Sequence, residues 1–357
     1  MIKVCIITNI PSPYLVEFFN YISKNSKLID LQVIYLLPSF NNRRWNMPII
    51  KHNNIIYNIK LNFNLIKIFR QLRDKNTIYF VDYGSLAYQL IIFYFIVTRK
   101  RWVMWAEKPK MNNFILKKII FIFLRNAKAI IGIGSYATRF YGELISIPTY
   151  NLPYAIDLER YLKIDRSTRN KNKKIKFLYC GSFVYRKGLD TLITAFKKLR
   201  NKYENIEILF VGDGYLKDDI LKKLVNYQHI ESFKFFDFVQ YDNLHEYYSM
   251  SDVFVFPTRY DGWGVVINEA MASGMPVITT YDCGASFDLI LEGYNGFLCP
   301  KNNVECFINK MEYFIINKKS IDYMGKNARK TIKNLLSLPK VLKKFEYIMK
   351  EIYENIK

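Results

Sequence analysis

Two rhythms alternate along the chain. Short apolar runs rich in β-branched residues recur at Lys3–Thr8, Leu31–Leu36, Thr77–Val81, Trp102–Trp105 and Ala129–Ile133. Between them, near residues 14–24, 64–73, 85–98, 112–126 and 135–145, apolar residues return every three to four positions. Continuous apolar strands separated by amphipathic helices predict an α/β fold, a parallel sheet covered by helices. The rhythm then repeats, with strands at Lys176–Cys180, Glu207–Val211, Phe233–Phe235, Val253–Phe256 and Val277–Thr280 and helices near 187–201, 215–226, 242–249 and 264–273. Three more helical stretches follow at about 303–316, 320–334 and 338–355, the last opened by Ser337 and Pro339. With no strands after them, they are expected to pack back onto the domains.

The two halves are separated by residues 164–174 (IDRSTRNKNKK), polar and without apolar periodicity, which read as a solvated linker. The expected organisation is a first domain over 1–163, a second over 175–336, and a terminal helix, 337–357, crossing back to the first. A chain of 357 residues suits two domains. The longest apolar stretch, Leu86–Val97, falls short of the ~20 residues a spanning helix needs and is expected to be a core helix.

Charge changes this picture in one respect. The formal net charge is +22, and residues 1–157 hold 21 Lys and Arg against seven Asp and Glu, so the first half is the more basic. Such a field attracts polyanions, either nucleic acid or the anionic inner surface of a membrane; a biased coding composition is the plain alternative. The five cysteines form no CxxC pair, and a strand-like segment begins one residue after Met1, which points to the cytoplasm.

Candidate chemistry concentrates in the second half. Pro257–Ile278 (PTRYDGWGVVINEAMASGMPVI) reads as strand end, glycine loop, helix and strand. Gly262 and Gly264 let backbone approach a ligand, and the following helix start aims amide groups and a positive dipole end at that point, which suits a phosphate. Glu269, inside that helix, can accept hydrogen bonds from a ribose diol. Upstream, Gly181 to Gly188 (GSFVYRKG) places Arg186 and Lys187 beside another strand end, where cations would neutralise a diphosphate. Gly212-Asp213-Gly214 is a third strand-ending turn, and Phe236–Val239 a fourth.

The Asp261-x7-Glu269 spacing with Gly-Trp-Gly between resembles the acidic motif of the retaining glycosyltransferase family 4 (glycosyl transferases group 1), which has the GT-B fold, two Rossmann-like parallel-sheet domains facing a central cleft. The resemblance covers most of the chain. It implies that Asp261 contacts the transferred sugar, that Gly262, Trp263, Gly264, Val265 and Val266 hold diphosphate and sugar, and that Glu269 binds ribose. It also places Lys187 and Arg186 on the donor phosphates and Gly181, Gly212, Gly214 and Val239 around the nucleotide. Two positions depart from the family: Asp261 is commonly glutamate there, and Ser182 stands where an arginine is common.

In the first half, Thr8-Asn9-Ile10-Pro11-Ser12-Pro13-Tyr14 follows the first strand and lacks the glycines of a dinucleotide fingerprint, which argues against a nicotinamide cofactor. In resembling proteins this loop serves the acceptor, so Pro11, Ser12, Pro13 and Tyr14 are candidate acceptor residues. Glu107 ends another strand on the same edge and is a candidate catalytic participant. The helix near 112–126, with Lys117, Lys118 and Arg125 beside a broad apolar face, is either a bilayer-surface helix or a core helix.

The resemblance implies retaining transfer from a nucleotide-sugar donor to a glycan or lipid-linked acceptor, with no cofactor, no metal and no nucleic-acid partner. Relatives with this loop often build capsule, O-antigen or other surface polysaccharides at the membrane. A GT-B sugar-nucleotide epimerase and a non-catalytic basic binding protein are the rival readings.

Overall fold

Strand order explains why particular loops meet. The structure, a computed structural model, describes residues 1–39, 44–58, 63–107, 124–167 and 174–355. The chain divides into two compact units, Met1–Asp157 with Leu336–Lys357, and Leu158–Leu335. The second unit thus begins ahead of the polar 164–174 stretch, of which residues 168–173 lie outside the described residues.

The first unit holds a seven-stranded parallel sheet: β1 (Ile2–Thr8), β2 (Ile29–Tyr35), β3 (Asn53–Ile56), β4 (Ile78–Val81), β5 (Arg101–Ala106), β6 (Ala129–Gly132) and β7 (Thr149–Asn151), in the order β3-β2-β1-β4-β5-β6-β7. The central strands are apolar on both faces because helices cover both; all four residues of β4 and of β6 are buried. In this unit the terminal helix Leu338–Glu354 lies against the helix Pro13–Asn25, with Phe18 and Phe345 rings 6.2 Å apart and Ser26 Oγ donating to Glu346 Oε1 at 2.6 Å.

The second unit holds a six-stranded parallel sheet: β8 (Ile175–Cys180), β9 (Ile206–Val211), β10 (Phe233–Phe236), β11 (Val253–Phe256), β12 (Val277–Thr280) and β13 (Gly296–Cys299), in the order β10-β9-β8-β11-β12-β13. The helix Val304–Ile316 packs on the helix Leu189–Lys202. Cys299 and Cys306 are joined by a disulfide with Cα atoms 5.8 Å apart, a pairing that the spacing of the cysteines did not announce. Cys5, Cys180 and Cys283 are free and buried.

One sequence expectation needs correcting. The helix Leu86–Val97 is not wholly core: Tyr88, Ile91, Ile92 and Phe95 are buried, while Leu86, Leu90, Phe93 and Val97 are exposed. Those four follow a helical spacing, so they form one apolar outer stripe. Packing on only one side leaves the second apolar face open. The helix expected near 112–126 lies outside the described residues up to residue 123.

Candidate functional site

In open parallel sheets, ligands bind beyond the carboxyl ends of the strands where the strand order reverses. In the second unit that point lies between β8, which pairs with β9 on one side, and β11 on the other. The residues singled out from the sequence stand on the loops that leave these two strands.

After β8 the chain runs through Gly181 into a short 3₁₀ turn, Tyr185–Lys187, closed by Gly188 at φ 71°. A β-carbon at Gly188 would lie 2.0 Å from the Pro257 carbonyl, so only glycine lets this turn sit on the loop after β11. Hydrogen bonds then stitch the two loops together: Arg259 N donates to Arg186 O at 2.7 Å and Thr258 Oγ1 to the same oxygen at 3.1 Å. The Arg259 guanidinium completes the clamp, donating to Tyr185 O at 2.6 Å, to Asp190 Oδ2 at 2.7 Å and to Asn302 Oδ1 at 2.6 Å. Sequence reasoning passed over Arg259; its place between Thr258 and Tyr260 at a strand end was the only signal.

The clamp brings Lys187 to Asp261. Their side chains form a direct ion pair, Lys187 9% and Asp261 15% exposed, with Arg186 Nη1 3.8 Å from the same carboxylate oxygen. Lys187 Nζ also sits 4.7 Å above the Phe256 ring, which adds a cation–π attraction. Two cations therefore face one carboxylate, which leaves excess positive charge for an anion.

From Asp261 the chain turns through Gly262 and the buried Trp263, whose indole donates to Asn268 Oδ1 at 3.2 Å, into the helix Val265–Ala272. Gly264 caps that helix at φ 91°, and a β-carbon there would approach Cys283 Sγ to 2.6 Å. The helix start, with the first-turn amides of Val265 and Val266, thus follows Asp261 by only three residues of tightly held loop.

Glu269 stands inside that helix. It is 3% exposed, and its Oε2 accepts from Tyr248 Oη at 2.7 Å. The same carboxylate helps raise the pKa of the Tyr248 and Tyr161 hydroxyls, although burial is the first cause in both. Gly212 and Gly214 end β9, with Gly212 N donating to Phe236 O at 3.1 Å and Phe183 N to Asp213 O at 2.8 Å, so the loops after β8, β9 and β10 also meet. Val239, on the loop after β10, is half-buried.

In the first unit the order reverses between β1 and β4, which pair directly. A cavity of about 180 Å³ opens there, lined among others by Ser12, Tyr14, Trp45, Asp82, Trp105 and Tyr154. Ser12 and Tyr14 line it; Pro11 and Pro13 are buried beside it and do not. Glu107 is not in the lining; it is half-buried, and its backbone oxygen accepts from Tyr141 Oη at 2.9 Å. Its charge nevertheless acts on Tyr154 of the lining, and Asp82, which the sequence reading missed, stands in the lining itself. Its signal was visible as the acid that ends the apolar run Ile78-Tyr79-Phe80-Val81.

Comparison with known proteins bears on the second unit and on the fold. Residues 162–331 match the family model described as glycosyl transferases group 1. Over 201 residues the chain is 29% identical to an uncharacterized glycosyltransferase of Methanocaldococcus jannaschii, covering 51% of this chain and 55% of that one. It is 31% identical to the capsular polysaccharide biosynthesis glycosyltransferase CapM of Staphylococcus aureus over 44% of this chain and 41% of the relative. The chain thus aligns with about half the length of these curated relatives. Among solved structures, sucrose-phosphate synthase from Thermosynechococcus elongatus superposes with a TM-score of 0.77 at 15% identity over 99% of both chains. HepE of Anabaena, in complex with UDP and glucose, superposes with a TM-score of 0.76 at 13% identity over 98% of this chain and 100% of that one. The fold is GT-B, and the match to the glycosyl transferases group 1 family model lies within the second unit.

Proposed function

We propose that the protein is a retaining glycosyltransferase that moves a sugar from a nucleoside-diphosphate sugar to a hydroxyl of a lipid-linked or growing surface glycan, without a metal. The observation that carries this reading is the buried Lys187–Asp261 pair at the strand-order reversal of the second unit, with Arg186 beside it and a helix start next along the chain. Lys187, Arg186 and the amides of Val265 and Val266 hold the diphosphate. Asp261 accepts from hydroxyls of the transferred sugar, Glu269 holds the ribose, and Gly181, Gly212, Gly214 and Val239 border the nucleotide.

In the reaction the bond between the anomeric carbon and the diphosphate oxygen breaks, and the acceptor oxygen bonds to that carbon. The acceptor's proton passes to the leaving diphosphate. Negative charge grows on the leaving group, so cations and amides already fixed around it lower the barrier without reorganising. This work needs no dedicated side-chain base.

The acceptor side rests on the first unit. Exposed Leu86, Leu90, Phe93 and Val97 form an apolar stripe, and the neighbouring helix Phe63–Gln71 exposes Ile66, Lys67 and Arg70. The two helices are joined by stacked Phe69 and Tyr94 rings 4.5 Å apart. An apolar stripe bordered by cations suits the surface of an anionic bilayer, where a lipid-linked acceptor would be found. Among the described residues no helix is long and apolar enough to cross a membrane. The name of CapM ties that relative to capsule synthesis, which supports the same class of acceptor.

Thermal-shift screening against UDP, GDP, ADP and their sugar conjugates tests the donor side: one nucleoside diphosphate is expected to stabilise the protein, and silence from all three would overturn it. Flotation with phosphatidylserine vesicles tests the acceptor side. Binding is expected at low salt and should weaken in Leu90→Ser/Phe93→Ser; equal binding by that variant would remove the stripe from the account.

A further inference from the structure

The bridge between Cys299 and Cys306 joins the last residue of β13 to the first turn of the helix Val304–Ile316, so the loop between them is closed at both ends. Cys299 is fully buried, whereas Cys306 is half-buried and the loop residues Lys301, Asn302 and Asn303 are exposed. A thiol in solution therefore reaches this bridge from the Cys306 side. The remaining cysteines, Cys5, Cys180 and Cys283, are free and buried, and burial pushes all three thiols up, so none supplies a competing thiolate.

Two side chains of the closed loop reach the two arms of the donor site. Asn302, held in the left-handed region at φ 62°, accepts from Arg259 Nε at 2.6 Å. Arg259 in turn donates to the Tyr185 carbonyl at 2.6 Å and lies 4.1 Å over the Tyr185 ring, so it grips the turn Tyr185–Lys187 that carries Lys187 to Asp261. Lys301 Nζ donates to Asp282 Oδ1 at 2.7 Å, and the Asp282 carbonyl accepts from Asp261 N at 3.1 Å. Both members of the Lys187–Asp261 pair are thus tied to the bridged loop at one remove.

A bridge over a sequence separation of seven closes too short a loop to restrict the unfolded chain as a long-range bridge does. What it restricts is local backbone, including the left-handed Asn302, a conformation that side chains other than glycine adopt at a cost. Opening the bridge returns that freedom, and Asn302 then leaves Arg259 with one partner fewer. Taken with the cytoplasmic expectation of the sequence, such a bridge reads as a sensor more than as a staple, because disulfides in reducing compartments are as a rule transient.

We propose that Cys299–Cys306 is a redox modification site whose reduction loosens the grip of Arg259 on the Lys187 turn and lowers the affinity of the second unit for a nucleoside diphosphate. The coupling of bridge to turn stands by itself; only its consequence for the nucleotide rests on the proposed donor reading. The reductant is a dithiol. One of its thiolates attacks Cys306 Sγ, the S–S bond breaks, and Cys299 leaves as a thiolate that takes a proton. The second thiol of the reductant resolves the mixed disulfide and releases Cys306 as a thiol. Two electrons and two protons pass to the protein, and the reductant ends as its own disulfide.

The test uses the full chain, oxidised and after treatment with dithiothreitol, the reductant then being removed. Amide hydrogen exchange is followed in peptides covering 184–188 and 257–261, whose amides at Lys187, Gly188 and Arg259 are hydrogen-bonded within the clamp. UDP, GDP and ADP are titrated into both forms. Reduction is expected to speed exchange in these two segments at least threefold, to leave β4 of the first unit unchanged, and to weaken the bound nucleotide at least fivefold. Cys299→Ala/Cys306→Ala should match the reduced protein and ignore dithiothreitol. Asn302→Gly, which keeps the left-handed backbone and removes the carboxamide, should exchange like the reduced protein with its bridge intact. The proposal is overturned if the oxidised sample titrates as five free thiols, if exchange in the two segments is the same in both forms, if the alanine variant still responds to dithiothreitol, or if Asn302→Gly behaves as oxidised wild type. Faster exchange on reduction with nucleotide affinity unchanged overturns it too. Faster exchange in a protein that binds no nucleotide in either form sinks the donor reading and leaves the coupling of bridge to turn standing.

Discussion

The two units use one topology to build opposite surroundings. In each, a parallel sheet reverses its strand order beside its first strand, and the loops leaving the two strands at that point converge. In the second unit those loops carry Arg186, Lys187 and a helix start, gathered round Asp261. In the first unit the same position carries aromatic rings and Asp82, with no cation among its described lining residues. The sheet therefore decides where a ligand sits, and the loop side chains decide which ligand it is. The net charge points the other way, because the more basic half of the sequence holds the cavity with no cation among its described lining residues.

The contrast can be broken most strongly at Lys187. Lys187→Ala leaves the buried Asp261 with only Arg186 at 3.8 Å, and the expected cost is about 3 kcal/mol in urea denaturation, the low end for a broken buried pair. Lys187→Ala/Asp261→Ala should recover much of that stability without recovering nucleotide binding. A single variant as stable as wild type would show that the pair is not buried in the working protein.

Gly264→Ala comes next. Its β-carbon would meet Cys283 Sγ at 2.6 Å with the backbone held at φ 91°, so a loss of about 2 kcal/mol is expected, visible as a lowered Tm. An unchanged Tm would mean that the loop before the helix start is looser than the structure describes.

Asp82→Asn acts with opposite sign. Because the folded-state pKa of Asp82 is raised to about 6 by burial, the folded protein holds this proton more tightly than the unfolded chain. Its contribution is fully present below the unfolded value and is lost as pH rises through about 6. Removing the charge should therefore stabilise the protein by about 1.5 kcal/mol at pH 8, a figure reduced for partial solvent access, and by nothing near pH 4. Equal effects at both pH values would contradict a carboxylate whose charge is disfavoured by burial. The smallest effect belongs to Glu269→Gln, which keeps an acceptor for Tyr248 and should cost less than about 1 kcal/mol in stability while weakening nucleotide binding.

The central strands were legible because buried parallel strands are nearly continuous apolar runs; Val253–Phe256 and Val277–Thr280 fall where the sequence put them. The strands the sequence hid, β3, β7 and β13, are all at sheet edges and only three or four residues long, and Asn53-Asn54-Ile55-Ile56 carries too little apolar signal to announce a strand. Gly264, Asp261 and Lys187 were readable because glycine placement and charge are local. The Arg259 clamp, the Tyr248 bond to Glu269 and the desolvation of Asp82 were not, since each depends on residues that only the fold brings together. Leu86–Val97 misled for a related reason: an all-apolar helix has no periodicity to reveal which face is open.

The most direct measurement is calorimetric titration of the nucleoside diphosphate selected by the thermal screen into wild type, Lys187→Ala and Asp82→Asn under identical salt. The account predicts saturable binding to wild type, at least a hundredfold loss in Lys187→Ala and no change in Asp82→Asn. Full affinity in Lys187→Ala, or a loss in Asp82→Asn as large as that predicted for Lys187→Ala, would contradict the division of the two ligands between the two units.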